Sequence, residues 1–193
     1  MKKEIKAFLK SKEMILYLPR DYSKDVISQW TTCRNVLVVV AHFFLTQFAK
    51  FIPTTKLISS FYRFFFRMKI GKSVGFAQIY PDYVLPEAIE IGDYSIIGWK
   101  AKLTTHEYTQ ETQRYGKIKI GKNVLIGAFS TIRGGVKIGD NSIVSFCSFV
   151  NKNIPPNELW GGVPAKRIKN ITETKRKKQS NCPVSIELNI PPN

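Results

Sequence analysis

The chain has 193 residues, 44% of them hydrophobic, and a formal charge of +16. That suffices for one domain with an appendage and excludes wholesale disorder. Three cysteines, Cys33, Cys147 and Cys182, form no CxxC pair, which excludes a disulfide framework or a cysteine-held zinc and points to a reducing compartment.

The basic excess draws the chain to anions: phosphate-bearing small molecules, nucleic acid or an acidic membrane surface. Residues 1–13 are lysine-rich and carry no signal-peptide pattern, so a cytoplasmic location is expected. Residues 1–30 are weakly patterned. From Asn35 a helix is predicted: Asn35, His42, Thr46 and Lys50 fall on one narrow polar stripe of an otherwise apolar segment that Pro53 ends. The run Val36–Ala49 is too short for a membrane span of about 20 residues. A second helix over Lys56–Lys69 sets Lys56, Ser59, Ser60, Arg63 and Arg67 against Leu57, Ile58, Phe61, Phe64, Phe65 and Met68. Helices so rich in aromatics must bury against something. Either they cap the open end of the next domain, or they form a basic, aromatic hairpin at a membrane surface.

From Ile70 the period becomes six. Ile120, Ile126, Ile132, Ile138, Val144 and Val150 open six consecutive units, a run whose chance is about one in a thousand. The same phase holds at Ile70 and Phe76, and at Leu85, Ile91, Ile97 and Leu103. Asp82–Val84 interrupt the first join and Thr109–Lys119 the second. Of these twelve units, six have glycine second and ten have Val, Ile, Ala or Ser fifth; the exceptions are Tyr80 and Glu107. This is the period of a β-solenoid. The first side chain fills the interior, the fifth fits beside it, and glycine eases the corner. One unit, LTTHEY at 103–108, places His106 fourth, directly before the longer interruption. After Val150, Pro155, Pro156, Gly161, Gly162 and Pro164 break the repeat. The basic run Lys175–Lys178 leads to a tail ending in Pro191 and Pro192, expected to be loosely attached.

The repeat, the histidine with its following loop, and GGVPAKRI after the last coil together resemble the hexapeptide-repeat acyltransferases that include maltose and galactoside O-acetyltransferases. The resemblance covers residues 70–171. It implies a mainly β fold: a left-handed parallel β-helix of four three-sided coils, preceded here by an N-terminal α-helical segment. The organisation is then 1–69 helical region, 70–155 β-helix, 156–171 coenzyme A-binding segment and 172–193 tail. The resemblance also implies a homotrimer with active sites between subunits, acetyl-CoA as co-substrate, no metal, and a sugar or glycan hydroxyl as acceptor.

Acyl transfer needs a base, an oxyanion donor and exclusion of water. His106 is the candidate base, because imidazole can accept and return a proton near neutrality. The backbone N–H of Ala128, after Ile-Gly in the next coil, takes the oxyanion place by analogy. Gly162, Val163, Pro164, Ala165, Lys166 and Arg167 match the coenzyme A segment, where the two cations suit phosphate. Phe146 stands near the expected pantetheine groove. Asp82 is read as binding the acceptor or orienting His106, with Glu107 as the alternative orienting group. Tyr80 and Tyr108 offer sugar-stacking faces. Leu125 holds a place where the family often has an acceptor-side tryptophan. His42 reads as structural.

Three other readings compete. A γ-class carbonic anhydrase needs three zinc-binding histidines, and the chain has two. An N-acetyltransferase acting on an amino sugar or amino acid stays open. A non-enzymatic anion binder would use the charge, yet no nucleic-acid motif accompanies it. A peripheral position at the inner face of the membrane is compatible with the enzyme.

Overall fold

The computed structural model describes residues 1–25 and 27–171. Cys182, the run Lys175–Lys178 and the proline-ended tail lie outside the described residues.

The N-terminal region holds α1 (Lys3–Lys10), β1 (Ile15–Pro19), α2 (Trp30–Cys33), α3 (Val36–Ala49) and α4 (Thr55–Phe65). Four coils follow. The first has β2 (Lys69–Ile70), β3 (Gly75–Phe76) and β4 (Tyr80–Pro81). The second has β5 (Ile89–Ile91), β6 (Ile96–Ile97) and β7 (Lys102–Thr104). There the chain leaves the solenoid through β8 (His106–Tyr108) and β9 (Thr112–Gly116). The third coil has β10 (Ile118–Ile120), β11 (Leu125–Ile126) and β12 (Thr131–Arg133), and the fourth β13 (Lys137–Ile138), β14 (Ile143–Val144) and β15 (Phe149–Val150). The chain ends in β16 (Glu158–Gly161) and β17 (Lys166–Asn170).

Equivalent strands stack in parallel into three faces, ordered β13-β10-β5-β2, β14-β11-β6-β3 and β15-β12-β7-β4, with β16 and β17 extending the second. The register aligns the aliphatic residues: Ile70 on Ile91, Ile91 on Ile120 and Ile120 on Ile138 on one face, and Leu103 on Ile132 and Ile132 on Val150 on another. These side chains are buried in one core.

One unit is placed differently from the sequence reading. The third strand of the first coil pairs Pro81, not Leu85, with Leu103. Leu85 instead precedes a short 3-10 turn at Pro86–Ala88 and packs in a second apolar cluster with Ile5, Phe8, Cys33 and Tyr115. The apolar phase of Leu85 serves the N-terminal elements rather than the prism.

The fifth-place serines explain how polar residues sit inside a solenoid. Ser95, Ser130, Ser142 and Ser148 are buried. Their hydroxyls donate to the carbonyls of Gly121, Ser145, Pro155 and Ser145 at 2.7–2.8 Å, so none of these four hydroxyls is left unpaired. The second-place glycines serve a different purpose from easing the corner. A Cβ on Gly98 would meet the Ala128 nitrogen at 2.5 Å, and one on Gly92 the Gly121 carbonyl carbon at 2.6 Å. Successive coils stack backbone on backbone there, which leaves no room for a side chain.

The N-terminal region is not helical throughout. Strand β1, read from sequence as weakly patterned, pairs antiparallel with β9, which pairs with β8. The N-terminus thus holds the loop that leaves the coil. Leu16 and Leu18 of this strand pack on the second cluster. Helices α3 and α4 do cap the first coil: Ala49, Ile58, Tyr62 and Phe66 join the prism core. Yet α3 turns its polar stripe inward. His42 and Thr46 are buried with Val39 and Ala49, while Leu37, Phe44 and Phe48 are exposed. His42 Nδ1 donates to the Tyr83 carbonyl at 2.9 Å and its ring stacks on Phe66 at 4.9 Å. The Thr46 hydroxyl donates to the His42 carbonyl at 2.9 Å. The inward polar groups are satisfied, so their burial costs little.

Candidate active site

The place of His106 in its unit explains its exposure to chemistry. In the neighbouring units the fourth residue turns the corner in the left-handed conformation: Tyr94 at φ 59°, Lys100 at 55°, Asn123 at 54°, Phe129 at 58°. His106 holds the same place after Leu103 but opens strand β8 instead. The chain runs straight out of the prism here. It returns through β9, where the Gly116 N–H donates to the Thr105 carbonyl at 2.7 Å.

Asp82 meets this point from the first coil. His106 Nδ1 lies 2.6 Å from Asp82 Oδ2. The same oxygen accepts the Thr105 N–H at 2.8 Å, and Oδ1 accepts the N–H groups of Val84 at 2.7 Å and Leu85 at 3.1 Å. The Asp82 side chain is 1% exposed, and that of His106 21%. Burial opposes the carboxylate, but the charge and hydrogen bond of His106 with the backbone donors outweigh it, and the Asp82 pKa falls. Burial likewise opposes the imidazolium, but the Asp82 charge outweighs it, and the His106 pKa rises. With Asp82 ionised, Nδ1 is the donor, and in the neutral imidazole Nε2 holds the lone pair.

Of the two readings of Asp82, the geometry fits orientation of His106. Both oxygens are engaged with His106 and three backbone donors, so the acceptor-binding reading is corrected. Glu107 is corrected as well. Alternation along β8 sends it away from its neighbour. Its carboxylate forms two 2.6 Å bonds to Nε and Nη2 of Arg133 and one of 3.3 Å to Nη1 of Arg114. Arg133 above all, against partial burial, lowers the Glu107 pKa.

His106 and Asp82 border a cleft of about 790 Å³. Tyr80 lines it as read from sequence, and so do Tyr83, Lys100, Thr104 and Phe129, which the sequence reading missed. Tyr83 lies beside Asp82 in the first interruption, the one signal that could have exposed it. Tyr108 stands beside the His106 ring at 5.0 Å but does not line the cleft. Leu125 lies outside it. It sits on another face, in β11 between Ile96 and Ile143.

Ala128 follows Gly127 at a half-buried corner. Its carbonyl accepts the Cys147 N–H at 3.0 Å, and its own N–H has no acceptor among the described residues. Phe146 is exposed and meets Phe129 edge-on at 5.6 Å; Phe129 meets Trp99 at 5.0 Å. Lys100 Nζ sits 4.2 Å from the Trp99 ring. The exit segment docks on the last coil through Gly162 O to Phe149 N at 2.9 Å and Ala165 N to Phe149 O at 2.8 Å. Val163 and Lys166 are exposed, the Val163–Pro164 bond is cis, and Ala165 is buried. Arg167 pairs with Glu158 at 3.0 Å. Neither Ala128 nor residues 162–167 line the cleft of their own chain. Among the described residues no group of three His, Cys, Asp or Glu could hold a metal ion.

The sequence profile described as bacterial transferase hexapeptide (six repeats) matches residues 117–152. A Bacillus subtilis (strain 168) protein named "Putative acetyltransferase YvoF" is 39% identical over 163 residues, covering 83% of this chain and 92% of that protein. The chain belongs to the hexapeptide-repeat acetyltransferases. The galactoside O-acetyltransferase of Escherichia coli (strain K12) is 39% identical over 92 residues, 44% of this chain and 45% of that one. The solved maltose O-acetyltransferase of Clostridium difficile 630 superposes with a TM-score of 0.55 at 25% identity, covering 72% and 88%. A Vibrio cholerae hexapeptide-repeat acetyltransferase solved with acetyl coenzyme A shares the fold, with a TM-score of 0.55 at 20% identity, covering 71% and 88%. The fold of this family member is the left-handed β-helix, and the protein is an acyl-CoA-dependent acyltransferase.

Proposed function

We propose that this acetyltransferase moves an acetyl group from acetyl-CoA directly to a hydroxyl of a sugar or glycan, with His106 as general base. The observation that carries the reading is the Asp82–His106 pair, 2.6 Å apart, bordering a cleft where the chain leaves the prism. The names of the galactoside and maltose relatives support a sugar hydroxyl.

In this reading Nε2 takes the hydroxyl proton as the acceptor oxygen attacks the thioester carbonyl. The Asp82 carboxylate stabilises the imidazolium that forms. The Ala128 N–H, with no internal acceptor, stabilises the oxyanion. The tetrahedral intermediate then expels the coenzyme A thiolate, which takes the proton back from Nε2. Lys166 and Arg167 contact the nucleotide phosphates, with Gly162, Val163, Pro164 and Ala165 shaping the path, and Phe146 borders the pantetheine arm. Neither Ala128 nor these residues reach the His106 cleft within one chain. We therefore place the complete site between subunits of a homotrimer. Tyr80, Tyr83 and Thr104 line the acceptor side.

The test is a panel of sugar hydroxyl and amine acceptors scored by acceptor-dependent thiol release and product mass. An acetyl ester on a sugar is expected. Transfer only to amines would overturn the hydroxyl assignment.

A further inference from the structure

Helix α3 has its faces reversed relative to a helix that simply caps a core. Its inward face is Val39, His42, Thr46 and Ala49. The outward surface of α3, α4 and their link carries Leu37, Phe44, Phe48, Phe51, Leu57 and Phe64, each between 57% and 80% exposed. Scattered exposed apolar residues need no explanation, but a surface where Phe48 of α3 meets Phe61, Phe61 meets Phe65 and Phe65 meets Phe64 does.

Along the chain the charge of this stretch has one sign, although Arg34 pairs with Glu87 and, at the first coil, Lys69 lies across from Glu90 and the Lys72 N–H bonds to Asp93. Residues 26–81 contain seven Lys or Arg and no Asp or Glu. Lys56, Arg67, Lys69 and Lys72 of this stretch are exposed. A second copy of the same face would set like charge against like, which is unfavourable. A surface of acidic lipid headgroups complements it. No helix among the described residues is long and apolar enough to cross a membrane. The 14 residues of α3 reach about 21 Å, short of the hydrocarbon thickness of about 30 Å. An apolar face with basic flanks and insufficient length fits a helix lying in the interface.

We propose that the outward face of α3 and α4 docks this protein on an anionic lipid bilayer. The docking also brings the candidate cleft to the membrane. The Tyr83 carbonyl is bonded to His42, and the Tyr83 ring meets Phe43 edge-on at 6.3 Å. Lys50 Nζ lies 5.4 Å from the Tyr80 ring. Both tyrosines line the cleft, so the docked helix supports its wall. This placement rests on the acyl-transfer reading; the docking itself does not.

The experiment is vesicle sedimentation of the full chain without substrate, on phosphatidylcholine alone and with about 30% phosphatidylglycerol. Binding to the anionic vesicles should exceed binding to neutral ones by about tenfold and fall with salt. Phe44→Gln with Phe48→Gln should lower the partition about tenfold or more, with an unchanged oligomeric state by light scattering. Lys56→Gln with Arg67→Gln should remove much of the preference for anionic lipid. Phe44→Trp, a conservative change, should show blue-shifted emission and quenching by brominated lipid. Absence of wild-type binding, unshifted Trp emission, or glutamine variants that bind normally would overturn the proposal. A changed oligomeric state in the glutamine variants would overturn it in favour of a second copy.

Discussion

Replacing Asp82 by Asn removes one charge and turns one acceptor oxygen into a donor. The amide can sit in two ways. If its oxygen faces His106 and Thr105, its NH2 opposes the N–H groups of Val84 and Leu85, now 2.7 and 3.1 Å from Oδ1. Two buried donors are then orphaned, at about 1–3 kcal/mol each. If the oxygen keeps Val84 and Leu85, only the Thr105 N–H is orphaned. The second arrangement wins by about one orphaned donor, ~1–3 kcal/mol. It points the NH2 at His106 Nδ1, which must then accept, so the proton moves to Nε2 and the base is lost. The expected fall in kcat/KM is about 10²–10⁴-fold. The charge that raises the His106 pKa against its burial is also gone. The acid limb of residual activity therefore moves to lower pH. Thiol-release kinetics across pH measure both effects, with circular dichroism as control. Activity within about threefold of wild type, or a limb that stays put, would refute the orienting role.

Two further consequences concern stability and packing. Because His106 has a folded pKa above 6.5, raised by Asp82 against burial, its stabilising contribution is full below the unfolded value and lost as pH rises through the folded value. Denaturant melts should show His106→Gln costing about 1–2 kcal/mol more at about pH 5.5 than at about pH 9; equal costs would contradict the pairing. Gly98→Ala puts a methyl 2.5 Å from the Ala128 nitrogen. Chemical denaturation should give a loss of about 1–3 kcal/mol, and unchanged stability would show that the coils can part without cost.

Much of the prism was legible because its physics is periodic. An aliphatic first residue and a small fifth residue recur because each coil buries the same two positions. Ser95, Ser130, Ser142 and Ser148 could be placed inside from their spacing alone, although their carbonyl partners could not. His106 stood out because it broke the pattern before a loop. Its partner was harder. Asp82 and Glu107 both looked able to orient it, and only strand alternation, which turns Glu107 toward Arg133, separates them. Leu85 misled because an apolar residue in the right phase can serve either of two cores. Strand β1 was hidden because its partner, β9, is a hundred residues away in sequence and no local pattern marks the pairing. The stripe on α3 was seen, but not that it faces inward, since that depends on the carbonyl of Tyr83 that His42 satisfies.

The central claim is that His106 moves the proton. It is tested most directly by comparing wild type and His106→Ala for acceptor-dependent coenzyme A release at saturating acetyl-CoA, with acetyl-CoA affinity measured separately by calorimetry. A fall in kcat of about 10²-fold or more with affinity unchanged is the predicted result. Transfer at the wild-type rate by His106→Ala would contradict it.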